Sequence, residues 1–540
     1  MIPLHIHSYY TFLQGTIPVD SLIEKAKEYA LPALALTDTN GMYGLIEFMK
    51  KAKEANIKPI PGALIDDPSD KNIYAVFLAM NKDGYSDLCR IITTRKLKEN
   101  FSLKELLQSE FPDLVILTHS IELLKSIPHR KNIYAELIST EKERKRTREL
   151  YEFAKAKGIK CVPTHPVYFL EKDDFMIHKI TTAIKNLSTF ENLPDSELVD
   201  KEYYFRNPLE LKAKWKVFPE MIATTYAIAE MCDVDVGIGT FKYPVFKTNG
   251  NTDTYSLLWK LAFSGLEERY PELTQPVIKK LQYELDVINE LSLSDYFLVV
   301  WDILREANRR RMVTIGRGSA ANSLVCYCLG ITQVDPVKYD LYFERFLNKG
   351  RSSPPDIDID FSWKERDEIV RYVFDKYGYE YVAMISTHIT FRARSAFRET
   401  AKVFGMPDSE ISKYSKFIPY TDAKNIQNIS SIYPEARALK FDIEPWDTIA
   451  SIAPKLANFP RHLSIHPGGI VIAPEPITNY TALEYAKNKG LGLIVTQPDM
   501  YGIEDIGLVK IDLLSQRSLG VLRDSLKQIE FNHLYKETEL

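Results

Sequence analysis

The sequence predicts a multidomain protein of mixed α/β and α+β class, and three observations support this inference. The chain has 540 residues, which suits three or four domains of ~150 residues each. Strand-like and helix-like segments alternate through its first ~170 residues, a pattern that favours a mostly parallel sheet or barrel. Beyond this region, helical patterns surround strand-like stretches at 354–361 and 508–514. We therefore expect an N-terminal barrel-like domain, followed by a domain built on another sheet.

Composition and charge exclude several classes of protein. Hydrophobic residues make up 45% of the chain and charged residues 26%, which is typical of a globular protein. The net charge of −4 means that any contact with nucleic acid must come from local basic patches. The five cysteines include no CxxC pair, which argues against a zinc knuckle and favours a cytoplasmic location. The N-terminus lacks the features of a signal peptide, and no stretch reaches the ~18 apolar residues of a membrane span.

Short strands and amphipathic helices can be assigned in order along the N-terminal region. The predicted helices are 19–30 and 44–56, and the predicted strands are 2–8, 31–38, 57–65, 113–120 and 158–170. In such folds, functional groups gather where the parallel strands end. His5, His7, Asp38 and His165 lie near predicted strand ends and are therefore candidates for a polar site.

The rest of the chain is predicted to be mainly helical, with strands near the acidic motifs. Segments 180–235, 255–311 and 386–465 have helical patterns, and 241–256 has the composition of a linker or of an extended crossing. From residue 464 the sequence becomes strand-rich and ends in one further helix. The charge run at 141–150 is typical of a solvated helix face.

The stretch PPDIDIDF at 354–361 carries three alternating carboxylates. In a strand, the period of two places Asp356, Asp358 and Asp360 on one face. Asp512 lies in a second apolar strand, with Lys510 two residues earlier on the same face. A carboxylate in a buried strand is costly unless it is paired or bound to metal. The alternative for 354–361 is a strand whose acidic face is exposed to water.

The stretch IGRGSAAN at 315–322 has the composition of an anion-binding loop. Gly316 and Gly318 would let backbone N–H groups approach a phosphate, and Arg317 and Ser319 would add donors. The alternative is a tight turn before a capped helix. A phosphate-binding loop beside carboxylates on two strands is what two-metal phosphoryl transfer requires, and Mg²⁺ prefers such oxygen ligands.

These motifs also resemble a known family. The stretch from GRGSAANSLVCYC to FERFLN, then PPDIDIDF, SIHPGGIVIAP and GLVKIDLL, resemble the palm of the bacterial C-family DNA polymerases, the DNA polymerase III alpha subunits. LHIHSYYTFLQG and LALTDTNGMYGLIEF resemble the polymerase-and-histidinol-phosphatase (PHP) domain that precedes this palm. The resemblance implies a PHP-type β/α barrel-like domain, a polymerase-β-like nucleotidyltransferase palm and a helical thumb insertion.

The resemblance also implies domain limits and residue roles. The limits are 1–236 for the PHP domain, 237–387 and 468–515 for the two parts of the palm, 388–467 for the thumb and 516–540 for the start of a truncated fingers region. The implied catalytic and metal-binding residues are Asp356, Asp358 and Asp512, with two Mg²⁺ ions. The implied substrate-binding residues are Gly316, Arg317, Gly318, Ser319 and Lys510. The candidate DNA contacts are Arg392, Arg394, Arg398 and Arg461, for which surface solubility is the alternative explanation.

The implied reaction is attack of a primer 3′-hydroxyl on the α-phosphate of a deoxynucleoside triphosphate, with release of pyrophosphate. Primer–template DNA would be the second substrate. The sliding clamp and other polymerase III subunits are the partners that the family implies. Asp360 matches a third acidic position that is usually not a ligand.

The sequence departs from the PHP pattern at the metal ligands. His5, His7 and Asp38 remain, but other expected ligand positions hold residues that cannot replace carboxylate or imidazole ligands. These positions are Gln14, Thr39, Leu64, Pro166 and Tyr168. We therefore predict no phosphoesterase or proofreading activity, and expect His5 and His7 to hold a polar network.

The chain also stops soon after Asp512, whereas the family continues into fingers, a clamp-binding segment and an OB-type domain. Three alternatives to an active polymerase therefore stay open: an inactive fragment, a truncated paralogue that binds DNA or assists assembly, and, against the missing ligands, a PHP phosphoesterase. The stretch DLLSQRSLG leaves open whether the chain is of the replicative or the error-prone type.

Overall fold

The computed structural model describes residues 1–248, 252–348, 350, 355–486 and 492–538, with side chains described to residue 529. Two sheets, of six and seven strands, organise these residues. Pro354, the first residue of the predicted acidic strand, lies outside the described residues, as do the last two residues of the predicted fingers region. No helix in the described part of the chain is long and apolar enough to cross a membrane.

The six-stranded sheet belongs to the N-terminal region and has its strands in sequence order. These are β1 Ala33–Leu36, β2 Lys58–Asp67, β3 Asp70–Ala79, β4 Leu114–Thr118, β5 Ile133–Ile138 and β6 Cys161–Thr164. The pairs β1–β2, β4–β5 and β5–β6 are parallel, as the β/α alternation predicts. The expected pattern is interrupted by β3, which pairs antiparallel with both of its neighbours.

The predicted strand at 2–8 is an extended segment that forms a single bridge rather than a regular strand. The N–H of His7 donates to the carbonyl of Val167, after β6, at 2.8 Å. On its other side, the carbonyl of Ile6 accepts from the N–H of Thr37, at the end of β1, at 2.7 Å. The segment therefore links the two edges of the sheet, which gives the predicted barrel-like closure.

Nine helices in the described residues surround or follow this sheet. They are α1 Val19–Glu28, α2 Leu45–Glu54, α3 Lys82–Leu97, α4 Leu103–Leu106, α5 Ile121–Ser126, α6 Arg144–Lys157, α7 Phe175–Lys185, α8 Pro208–Lys214 and α9 Pro219–Met231. The segment predicted to be helical at 180–235 is interrupted, because residues between α7 and α8 form turns and extended backbone.

The seven-stranded sheet forms the core of the C-terminal region, with the strand order β11-β12-β9-β10-β13-β8-β7. Its strands are β7 Thr314–Arg317, β8 Asp358–Ser362, β9 Val382–Thr390, β10 Pro460–Ile472, β11 Leu483–Tyr485, β12 Ile494–Asp499 and β13 Lys510–Gln516. At its centre, β13 runs parallel to β8 and antiparallel to β10.

Along the sequence, the helices of this region lie before the strands of the sheet, between them and after the last one. They are α10 Thr254–Arg269, α11 Gln275–Glu290, α12 Ser294–Arg309, α13 Leu324–Cys328, α14 Arg366–Tyr377, α15 Ala393–Val403, α16 Asp408–Ser415, α17 Ile429–Ile432, α18 Trp446–Ile452, α19 Met500–Asp505 and α20 Arg517–Thr538. The prediction of helix over 386–465 was wrong at both ends. There β9 extends to Thr390 and β10 begins at Pro460, because these residues pair with each other across the sheet.

Helix α7 contributes to a hydrophobic core formed mainly by the helices between β9 and β10. Its fully buried Ile180 packs in one cluster with Phe397 of α15 and Trp446 of α18. His178, also on α7, donates its Nδ1–H to the carbonyl of Gln14 at 2.7 Å. The N-terminal region and these helices therefore share one core.

Candidate active site

Strand β8 positions the acidic motif by strict alternation of its side chains. Ile357, Ile359 and Phe361 are fully buried in the core beneath the sheet. The regular strand begins at Asp358, so Asp356 lies just before it and its side chain is half exposed. The apolar residues thus fix the opposite face of the strand, as the period of two predicts.

The carboxylates of Asp356, Asp358 and Asp512 lie together. Asp358 and Asp512 are register partners in the parallel pair β8–β13. One oxygen from each of the three carboxylates lies within 4.8 Å of the other two. In the described part of the chain, no other set of three or more His, Cys, Asp or Glu side chains meets this condition.

Three features of the acid cluster bear on whether it can bind a cation. Asp512 Oδ1 is buried and has no hydrogen-bond partner. Lys510 forms an ion pair with Asp512 and lies 3.5 Å from Asp356, so a single ammonium group offsets part of the charge of three carboxylates. The Nδ1 atom of His466 is 3.6 Å from Asp512 Oδ1 but accepts a hydrogen bond from the N–H of Gly469. An all-oxygen donor set with excess negative charge fits a hard divalent cation.

Asp360 lies outside this cluster although it shares the strand. Its carboxylate is buried, 3.5 Å from Arg317 Nε, and accepts a hydrogen bond from the side-chain amide of Gln516 at 3.3 Å. Its charge is therefore balanced by the protein itself.

Burial, together with the nearby charges of Asp356 and Asp512, raises the pKa of Asp358 to about 6. Because the folded state binds this proton more tightly than the unfolded state, the contribution of Asp358 to the free energy of unfolding is most favourable below about pH 4, near the pKa of the unfolded chain. That contribution is lost as the pH rises through about 6. In the presence of a chelator, Asp358→Asn should therefore stabilise the chain at pH 7.5 by about 1–2 kcal/mol, allowing for partial solvent screening. Urea unfolding of both proteins between pH 4 and 8 measures this difference, which should shrink toward pH 4; a difference that is constant with pH would contradict the prediction.

The glycine-rich stretch has a different local structure from the one expected. Strand β7 includes Gly316, where a Cβ atom would lie 1.8 Å from the carbonyl oxygen of Ile331. Close packing against this backbone therefore explains why residue 316 is a glycine, and its expected role toward an anion stays a prediction. The residues Gly318–Asn322 form a 3-10 turn rather than the start of an α-helix.

Gly318 lies next to the acid cluster. Its φ of +75° is in the left-handed region that favours glycine, and a Cβ atom there would lie 3.7 Å from Asp358 Oδ2. Arg317 is the register partner of Asp358 and its Nε lies 3.8 Å from that carboxylate. The structure therefore brings Arg317, Gly318 and Lys510 to the carboxylates, with Ser319 adjacent in sequence.

Arg366 is a residue of this region that sequence reasoning missed. It is buried behind the acid cluster, where its Nε–H donates to the carbonyl of Leu513 at 2.9 Å and its Nη2 to that of Pro467 at 3.2 Å. It thereby fixes β13 to the irregular stretch inside β10, beside Asp512. In the sequence it is one of many charged residues at the start of a helix, so only its position directly after the acidic strand could have drawn attention to it.

The four candidate DNA-contacting arginines line one open cleft of about 600 Å³ between β9, β10 and α15. Each has a partner within the protein. Arg461 pairs with Glu399 at 3.1 Å and Arg398 with Asp408 at 3.2 Å; Arg394 donates to the carbonyl of Ile418, and Arg392 lies 3.8 Å from Asp422. Of the three that form ion pairs, Arg392 is the most exposed, with 46% of its side chain accessible.

The residues that depart from the PHP pattern converge on one pocket of about 220 Å³ at the end of the six-stranded sheet. His5 lines this pocket together with Gln14, Thr39, Leu64, Pro166 and Tyr168. His165 does not line it; its Nε2 faces the carbonyl of Tyr204, and burial lowers its pKa to about 3.

A buried polar network lies beneath this pocket, as we expected for His5 and His7. His5 Nδ1 is 2.7 Å from Glu136, its Nε2 is 3.0 Å from His7 Nε2, and His7 Nδ1 is 3.1 Å from Thr11. Thr11 in turn donates to Asp38 at 2.7 Å. Glu136 was missed in the sequence, because a single glutamate in the strand IYAELI gives no signal of its partner 131 positions away.

Comparisons with known protein families match two parts of the chain. Residues 3–159 match the family described as PHP domain, and residues 256–515 match the family described as Bacterial DNA polymerase III alpha NTPase domain. The second match contains the acid cluster and the glycine-rich stretch.

Curated relatives match almost the whole chain. The error-prone DNA polymerase of Symbiobacterium thermophilum is 32% identical over 572 residues, covering 98% of this chain and 52% of the relative. The DNA polymerase III subunit alpha of Bacillus subtilis is 33% identical over 556 residues, covering 98% of this chain and 49% of the relative. The chain thus spans about half the length of the curated relatives it matches. A solved structure of an amidohydrolase from Chromobacterium violaceum shares 28% identity over 14% of this chain and 27% of its own, with a TM-score of 0.13, too low to support a structural argument.

Proposed function

Since the chain belongs to the family of bacterial DNA polymerase III alpha subunits, we propose that it carries the catalytic region of a DNA-directed DNA polymerase. The family comparisons confirm the PHP domain and the polymerase domain that follows it. The proposal concerns the reaction: template-directed addition of deoxynucleotides to a primer 3′-hydroxyl. Its domain limits are those expected from the sequence, with a palm at 237–387 and 468–515 and a thumb at 388–467.

The observation that carries this proposal is the acid cluster at the centre of the seven-stranded sheet. Three carboxylates converge there, one of them with a buried oxygen that has no partner. The family uses divalent metals, and we assign two Mg²⁺ ions to Asp356, Asp358 and Asp512. Bound there, Mg²⁺ would neutralise charge on the phosphates and favour ionisation of the primer hydroxyl.

The chain's own residues would orient the substrates around this cluster. Gly318 and Ser319 are proposed to hold the triphosphate through backbone N–H groups and the serine hydroxyl. Arg317 and Lys510 are proposed to contact phosphate, which requires Lys510 to exchange its ion pair with Asp512 for the substrate. Gly316 packs against the backbone at Ile331, and we keep it among the proposed substrate-binding residues.

The test is primer extension by the 540-residue chain with Mg²⁺ and deoxynucleoside triphosphates. Extension that stops on addition of a chelator supports the proposal. The proposal would be overturned if the chain neither extends a primer nor binds nucleotide in the presence of Mg²⁺. That result would favour the alternative of a paralogue that binds DNA or assists assembly.

Arg392 provides a prediction for the cleft proposed to bind primer–template DNA. Arg392→Ala should weaken binding by about two- to fivefold and reduce the salt dependence of the association constant by about one ion, because one phosphate contact is lost. Fluorescence anisotropy at several salt concentrations measures both quantities. The control is Arg371→Ala, an exposed arginine on α14 outside the cleft. If both variants reduce the affinity equally, Arg392 makes no specific contribution.

The PHP pocket is predicted to have no phosphoesterase or proofreading activity. Leucine, proline and tyrosine occupy ligand positions there, and His5 and His7 are engaged with each other. Release of phosphate from p-nitrophenyl phosphate, assayed with Mn²⁺ or Zn²⁺, should not exceed that of the protein-free control. Activity that disappears in a His7→Ala variant would contradict the prediction.

Partners and location follow from the family. We propose primer–template DNA and deoxynucleoside triphosphates as substrates, and the sliding clamp and other polymerase III subunits as partners. A cytoplasmic location is part of the same proposal.

A further inference from the structure

Glu284 on α11 is a fully buried carboxylate that faces the polypeptide directly after the glycine-rich turn. Its Oε2 accepts hydrogen bonds from the hydroxyl of Ser323 at 2.8 Å and from the N–H of Val325 at 3.1 Å. No ion pair neutralises it within the described residues. The carboxylate is therefore held by neutral donors of a single segment.

This segment is connected by hydrogen bonds to the residues next to the acid cluster. Ser323 caps α13 by accepting from the N–H of Cys326 at 3.1 Å. The preceding residue, Asn322, is buried and donates its side-chain N–H to the carbonyl of Ser319 at 2.9 Å. Glu284 thus supports the end of the turn whose other end, Gly318, lies beside Asp358.

Burial of the Glu284 carboxylate lowers the stability of the folded chain. Its second oxygen, Oε1, is buried without a hydrogen-bond partner. Burial raises the pKa of Glu284 to about 7, while the donors of the 323–325 segment and the charge of Lys280 act in the opposite direction. An apolar side chain at 284 would avoid that cost but would leave the hydroxyl of Ser323 and the N–H of Val325 without their acceptor, so what the carboxylate contributes is the position of this segment.

We propose that Glu284 is a positioning residue for the nucleotide loop 318–325. Its carboxylate holds this loop at the distance from Asp358 at which the donors of Gly318 and Ser319 can meet a triphosphate bound at the acid cluster. The inference rests on the proposed function of that cluster, and it assigns a role to a residue that contacts neither nucleotide nor metal.

The test compares four variants of the 540-residue chain. Binding of Mg²⁺–dATP, with a fluorescent dATP analogue as the probe, should weaken at least tenfold in Glu284→Ala and at least threefold in Ser323→Ala. Glu284→Gln keeps an acceptor oxygen and should stay within twofold of the wild type. Lys279→Ala, an exposed change on the same helix, is the control. Affinity for primer–template DNA should be equal in all variants, because a general loss of structure would lower both affinities.

Hydrogen exchange of residues 318–328 is measured on the same proteins without nucleotide. Faster exchange in Glu284→Ala and Ser323→Ala, with rescue in Glu284→Gln, supports the inference even if the wild type binds no nucleotide, a result that would count against the proposed function alone. Equal exchange in all variants would overturn the inference, and so would a wild type that binds nucleotide with an affinity unchanged in Glu284→Ala.

Discussion

Asp358→Asn should reduce primer extension by at least about a thousandfold and abolish tight binding of divalent cations. The change removes one charge from a cluster whose three oxygens lie within 4.8 Å of one another, and it replaces a carboxylate oxygen by an amide. Stabilisation of charge by metal ions supplies a large part of the rate in phosphoryl transfer. Mn²⁺ binding followed by electron paramagnetic resonance, beside extension assays with Mg²⁺, measures both effects.

Asp360→Asn is the matched control for this experiment. It makes the same chemical change two residues along the same strand, where Arg317 and Gln516 already satisfy the carboxylate. Binding of Mn²⁺ should stay within about threefold of the wild type, because a single charge at that distance is partly screened. If Asp360→Asn lowers Mn²⁺ binding as much as Asp358→Asn, the ligands have been assigned wrongly.

Ile180→Ala should destabilise the chain by about 2–5 kcal/mol and loosen helices that are distant in sequence. Ile180 is fully buried where α7 meets α15 and α18, and a smaller side chain leaves a cavity in that shared core. Urea unfolding measures the loss of stability. Hydrogen exchange should accelerate in α15, more than 200 positions away, as well as in α7.

Met176→Ala is the control for the α7 prediction. It removes a side chain of similar size from the same helix, but from a position that is 46% exposed. We expect a change below about 1 kcal/mol and no effect on exchange in α15. Exchange confined to α7 in the Ile180→Ala variant would mean that the two regions do not share a core in solution.

Features that depend on local periodicity could be predicted from the sequence. The alternation of Ile357, Ile359 and Phe361 with the aspartates fixed both the strand and its two faces. The β/α alternation predicted a barrel-like N-terminal domain, but not the antiparallel β3, because a hydrophobic strand carries no mark of its direction. The strand residues at both ends of segment 386–465 were missed because β9 and β10 form by pairing with each other across this segment.

Features that depend on distant pairing could not be predicted in the same way. The neighbourhood of Asp358 and Asp512 followed from resemblance rather than from any local pattern. The close approach of Gly316 to the carbonyl of Ile331, which also requires a glycine there, could not be read from the sequence. Glu136 and Glu284 gave no signal, because the partners of a buried carboxylate are set by tertiary packing.

The bond from Arg366 to the carbonyl of Leu513 joins residues separated by 147 positions, and the pairing of Asp358 with Asp512 spans a similar loop. Contacts of such high sequence separation form slowly, because the entropy of closing the loop precedes any gain in contact energy. A ribosome-bound chain that ends before β13 lacks one of the three carboxylates, however well its N-terminal domain has folded. The acid cluster is therefore completed late in synthesis, after the helices between β9 and β10 have emerged.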